Sequence, residues 1–239
     1  METGGGFVPV ETIATHAPEF TLYGDGTVIF RPTIDMANPA REGLPRFVRG
    51  QLDEAAVQAL LRYALGAGRL LDARDHYGQG MCADCPSTTF MLNAAGLQKT
   101  VVVDALGMVD AIGPDAVDRR AFAALADTLT GFEQRARNGE LGEATLYDTA
   151  HYRAFLFEGM AEPQQVLDWP WEDLTAEDFS AQGDDWRLQA VLDREHVAEL
   201  AELPSGGEAL IYVADAAGSL WQLALRPLLP DELAGEGLD

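Results

Sequence analysis

Residues 46–68 read RFVRGQLDEAAVQALLRYALGAG, an alternating segment that runs into a helical one. Asp53 stands where an N-cap belongs, because a short carboxylate there can accept from the backbone N–H groups that the first helical turn leaves unpaired. Ala56, Val57, Leu60, Leu61, Ala64 and Leu65 then form one apolar stripe at helical spacing. Residues 185–207, DWRLQAVLDREHVAELAELPSGG, follow the same plan, with Asp193 as N-cap and Val197, Leu200 and Ala201 on the stripe.

Each of these segments leads into a pair of alternating strands. Residues 88–106 read TTFMLNAAGLQKTVVVDAL and residues 209–227 read ALIYVADAAGSLWQLALRP. The turns fall at Asn93 to Gly96 and at Asp215 to Gly218, where Asn or Asp bonds the backbone ahead and Gly takes a positive φ. Matched elements in matched order predict an internal repeat of a β, α, hairpin unit. Val57 and Val197 lie 140 positions apart, whereas Gly96 and Gly218 lie 122 apart, so the first copy holds 18 extra residues between helix and hairpin. The inserted loop falls within residues 66–86 and ends in DHYGQGMCADCP (75–86), which carries both cysteines of the chain.

Further elements surround the two copies. EFTLYGDGTVIFRP (19–32) reads as a hairpin turning at Asp25 and Gly26, and HYRAFLFEG (151–159) as a strand. DRRAFAALADTLTGFEQRARNG (118–139) reads as a helix that starts at Asp118 and closes at Asn138 and Gly139, with Phe122, Leu125, Ala126, Leu129 and Phe132 on its apolar face. Hairpins dominate and no βαβ series occurs. The expected fold is α+β, with mostly antiparallel sheets each covered on one face by a helix. The expected domains are a first unit over 1–142, with the cysteine loop and the extra helix, and a second, shorter unit over 143–239.

The chain has 239 residues, 47% hydrophobic and 23% charged, a composition that folds around a core. Asp and Glu number 39 against 16 Lys and Arg, giving a formal net charge of −23. Such a surface repels phosphate backbones and anionic bilayers, so nucleic acid is not an expected partner; cations, basic proteins or a small molecule are. No apolar run is long enough for a transmembrane helix, and the opening METGGGFVPVE lacks the basic and apolar stretches of a signal peptide.

GGFVPVE (5–11), PEFTLYGDGTVI (18–29), LDEAAVQALLRYALGAG (52–68), PSTTF (86–90) and DWPWEDL (168–174) resemble a family of uncharacterised secreted lipoproteins of GC-rich bacteria, actinobacteria among them. The resemblance reaches across most of the chain, and it implies an extracytoplasmic address, secreted or lipid-anchored; the alternative address is cytoplasmic. It carries over no catalytic or binding residue.

Three chemistries compete for the cysteine loop. A thiol oxidoreductase sets its CxxC at a helix start, whose positive end stabilises the thiolate, whereas Cys82 and Cys85 precede Pro86 and a β-type run. Zinc would draw on His76, Cys82 and Cys85, with Asp75 or Asp84 completing four ligands, although no second cysteine pair exists to build the usual structural site. A local Cys82–Cys85 disulfide in an oxidising compartment would stiffen the loop, and this reading agrees with the secreted resemblance.

The common catalytic signatures are missing from the sequence: no GxSxG, no HExxH, no phosphate loop and no EF-hand pattern. The acid pairs Asp184, Asp185 and Glu172, Asp173 read as a solvated face in a chain this acidic. Trp169 and Trp171 flank Pro170 and suit either recognition or a core plug. The sequence therefore leads to a non-catalytic extracytoplasmic binding or interaction module without a cofactor. The alternative is a zinc-binding protein or metal-dependent hydrolase built on the 75–85 loop.

Overall fold

The structure, a computed structural model, describes residues 1–8, 13–32, 47–78, 84–108, 113–158, 166–182, 185–201 and 210–238. They divide into two compact units, one drawn from residues 1–8, 17–32 and 47–147, the other from 13–16 and 148–238. The fold is α+β and its strands pair mostly antiparallel.

In chain order the first unit contains β1 (Glu2–Gly4), β2 (Phe20–Leu22), β3 (Thr27–Phe30), β4 (Val48–Gln51), α1 (Glu54–Leu65), β5 (His76–Tyr77), β6 (Ser87–Ala94), β7 (Leu97–Asp104), α2 (Ala116–Thr130), α3 (Phe132–Arg137) and β8 (Thr145–Leu146). They form two four-stranded sheets, in the orders β2-β3-β4-β8 and β1-β6-β7-β5. Among the described residues of this unit only β5 runs parallel to its neighbour, β7. The β2–β3 turn forms because Asp25 Oδ1 accepts from Thr27 N at 2.8 Å while Gly26 takes φ +86°. Gly26 is also obligatory sterically, since a Cβ there would lie 2.3 Å from Leu52 O.

Helix α1 starts as its sequence dictates, with Asp53 accepting from Ala56 N at 2.7 Å. It buries Val57 and Leu60. Helix α2 starts two residues earlier than the pattern predicts, and its N-cap residue is Asp115. Asp118 lies in the first turn and spends its carboxylate elsewhere, accepting from Tyr77 Oη at 3.0 Å and pairing with Arg69. Gly131 separates α2 from α3, so Phe132 continues the buried face from the second helix. Phe20, Phe30, Val48, Phe90, Val103 and Phe122 from both sheets and α2 meet in one apolar cluster.

The second unit contains β9 (His151–Glu158), β10 (Leu167–Asp168), a 3-10 turn (Ala176–Asp178), β11 (Ser180–Gln182), β12 (Asp185–Asp193), α4 (Arg194–Ala201), β13 (Leu210–Ala214), β14 (Leu220–Pro227) and α5 (Pro230–Glu236). One six-stranded sheet takes the order β10-β13-β14-β9-β12-β11, in which β10 and β13 pair in parallel. Helix α4 and Trp171 cover one face over Ala154, Leu156, Leu192, Leu223 and Leu225. The expectation of a single covered face does not hold here. Phe155, Phe157 and Ala224 on the opposite face are buried too, and they cluster with Ala14.

Each unit holds a strand, a helix and a hairpin in that order, but the sheet topologies differ and the internal repeat expected from the sequence is not shown. β12 and the β13–β14 hairpin share one sheet through β9, whereas β4 and the β6–β7 hairpin lie in different sheets. The insertion supplies the physical reason, because its strand β5 sits against β7 at the edge where β14 receives β9. The hairpin loops differ as well. Ala95 and Gly96, at φ +52° and +80°, make a two-residue turn, while Asp215–Ser219 is a longer loop in which Asp215 Oδ1 accepts from Ala217 N and Ser219 N.

Candidate functional site

The cysteine loop enters the first unit's sheet through β5. Val102 N donates to Asp75 O at 2.9 Å, and alternation then points Tyr77 into the core, 1% exposed, while the His76 side chain stays 59% exposed. The Tyr77 ring stacks edge-on against Phe122 and lies under the Arg74 guanidinium. Arg119, itself buried, donates to Tyr77 O at 3.2 Å and to Asp104 O at 2.5 Å, so one guanidinium ties β5 to the end of β7.

The two-residue turn at Ala95–Gly96 fixes the hairpin register and sets Ser87 directly opposite Asp104. Ser87 Oγ donates to Asp104 Oδ1 at 2.7 Å, and His76 Nε2 lies 3.0 Å from Asp104 Oδ2. The Ser87 hydrogen bond, joined by the hydrogen bond and charge of His76, holds the Asp104 carboxyl below the usual carboxylate range against the desolvation that would raise it. This is a histidine, a carboxylate and a hydroxyl, but not in the order nucleophilic catalysis needs. A hydroxyl is activated by an imidazole that accepts its proton, and here the Ser87 hydroxyl donates its hydrogen bond to the carboxylate instead.

Of the residues the sequence offered for zinc, His76 faces Asp104, and Asp75 is 3.6 Å from Lys99 Nζ. Asp84 is exposed. Cys82 lies outside the described residues, as does the proposed pairing with it; among the described residues no cysteine is free. No group of three metal-ligating side chains occurs among the described residues. Asp104, Ser87 and Arg119 are not among the sequence-derived candidates. The signal for the first two is the hairpin register, which follows once the two-residue turn is placed.

Trp169 and Trp171 lie in the second unit. Trp171 is 4% exposed in the core cluster, donating to His196 O at 3.0 Å, and the half-buried Trp169 stacks edge-on against it and donates to Leu174 O at 2.6 Å. His196 faces Asp193 at 2.8 Å and Asp173 at 3.4 Å. Of the acid pairs, Glu172 and Asp173 are exposed, and Asp184 lies outside the described residues.

Against the Cys85 loop packs the segment after β1. A Cβ on Gly6, at φ +84°, would come within 3.2 Å of Asp84 O and 3.5 Å of Pro86 N, so glycine lets the two backbones approach. The next residue, Phe7, is 95% exposed, and Val8 follows it into solvent. Comparison of the chain with protein-family models, with curated proteins and with solved structures finds no match. Among the described residues no helix is long and apolar enough to cross a membrane.

Proposed function

We propose that the chain acts outside the cytoplasm as a non-catalytic binding or interaction module. The observation that carries this reading is that both oxygens of the Asp104 carboxylate are engaged, one by Ser87 and one by His76. The Asp104 carboxylate thereby fastens the cysteine loop to the hairpin. Phe7, presented beside that loop, supplies an apolar contact group of the kind that interfaces bury. A Cys82–Cys85 disulfide would keep the loop stiff and suits the extracytoplasmic address that the resemblance implies.

The test has two arms. Ester, phosphoester and peptide substrates, with and without added zinc, are expected to turn over no faster than in buffer, and His76→Ala is expected to change nothing; a rate lost in His76→Ala contradicts the reading. Partner capture from a cell-envelope extract is expected to fall about tenfold in Phe7→Ser, the effect of losing one well-packed aromatic anchor.

A further inference from the structure

The second unit holds a pair of arginines in an otherwise strongly acidic chain. Arg153 on β9 and Arg226 on β14 are directly paired across the sheet, so both side chains leave the same face. Two like charges set side by side and 12% and 10% exposed demand compensation. Helix α5 provides it. Glu232 receives Arg226 Nη1 and Nη2 at 2.7 and 2.5 Å, and Glu236 receives Arg153 Nη2 at 2.7 Å. Gln189 on β12, also buried, accepts from Arg153 Nη1 at 3.0 Å and steadies that guanidinium.

The match is geometric as well as electrostatic. Glutamates four apart on a helix stand roughly 6 Å apart at Cβ, close to the roughly 5 Å between cross-strand neighbours, so one helical turn presents a carboxylate to each arginine. Helix α5 itself has no buried residue, so little apolar area holds it down. The two carboxylates tie it to the sheet, and Leu228 and Leu229 at its base are 0% and 2% exposed. Arg226 Nε is a further buried donor with no hydrogen-bond partner among the described residues.

We propose that Arg153 and Arg226 form a carboxylate-recognition site for a helix bearing glutamates four residues apart, which α5 occupies in cis and which the matching acidic helix of a partner protein takes when α5 lifts. The site stands independently of the role proposed for the Phe7 surface, and each can fail without the other.

The test uses the full chain carrying Glu232→Gln and Glu236→Gln, whose own helix no longer competes, and a fluorescent peptide of residues 228–239. Anisotropy is expected to show saturable binding to the variant and about tenfold weaker binding to the unmodified chain, with loss of binding when the peptide itself carries glutamine at both positions and weakening at about 0.5 M salt. Equal binding of the glutamate and glutamine peptides, or none to a variant shown folded by circular dichroism, overturns the proposal. If the double variant fails to fold because Arg226 is left without its carboxylate, Glu236→Gln alone frees the Arg153 half. It is then expected to bind the peptide about threefold more tightly than the unmodified chain, and equality of the two overturns the proposal.

Discussion

Arg119 shows how a single side chain can stabilise a short strand. β5 has two residues and cannot hold itself on β7 by ladder bonds alone; a buried guanidinium that bonds the carbonyls of Tyr77 and Asp104 supplies the missing tie. Arg119→Met leaves those carbonyls unpaired in the interior and is expected to cost about 2 to 3 kcal/mol, or roughly 5 to 10 °C in Tm by calorimetry. His76→Ala removes an exposed partner of Asp104 and is expected to move Tm by no more than about 2 °C. His196 offers a pH test. Burial works to lower its basicity, but the hydrogen bond and charge of Asp193 and the charge of Asp173 outweigh this and raise it. A raised folded value means that the protonated form binds its partners better in the folded chain. The stabilisation is therefore complete below the unfolded histidine value of about 6.5 and fades as pH rises through the folded value. Tm measured from pH 5.5 to 8.5 (about the range histidine spans) is expected to fall more in the unmodified chain than in His196→Gln; parallel curves contradict the assignment.

At the scale of elements, capping and register decide most of the structure. Asp193 accepts from Glu195 N and His196 N at 2.9 and 3.0 Å, as Asp53 does for α1, so Asp193→Ala is expected to cost about 1 kcal/mol in denaturant unfolding. The same substitution should flatten the pH dependence assigned to His196, which a purely structural cap would not do. Trp171 donates its indole N–H within the core, so a chain retaining only that tryptophan is expected to emit at short wavelength and to resist acrylamide; strong quenching contradicts its burial. Both N-caps, the apolar stripes of α1 and α2 and the β2–β3 and β6–β7 hairpins are legible in the sequence because each is set by residues within a few positions of one another. β5 is not legible, since two residues carry no period and its pairing with β7 is made from a distance. Helix α5 is marked by Pro230 at its first position, yet it is short and lacks an apolar stripe, and its glutamates pair with arginines on two distant strands. The His76–Asp104–Ser87 network is legible only through the hairpin register, and its arginine tie not at all.

Over the whole molecule, sheet composition separates the units more clearly than helix order joins them. The first distributes its strands over two sheets around one core, and the second places them in one sheet buried on both faces. Ala14, distant in sequence, covers Phe155 and Phe157 in the second unit. A fragment of residues 148–239 lacks that cover and is expected to bind a hydrophobic dye that the full chain does not bind. The proposed function makes the cysteine loop a fastened, metal-free element of an interaction module and not a catalytic centre. Native mass spectrometry of the chain purified without reductant or chelator tests it most directly. The expected mass lies two hydrogens below that of the reduced chain with no metal adduct; a stoichiometric zinc adduct on a chain that keeps both thiol hydrogens after denaturation contradicts the proposal.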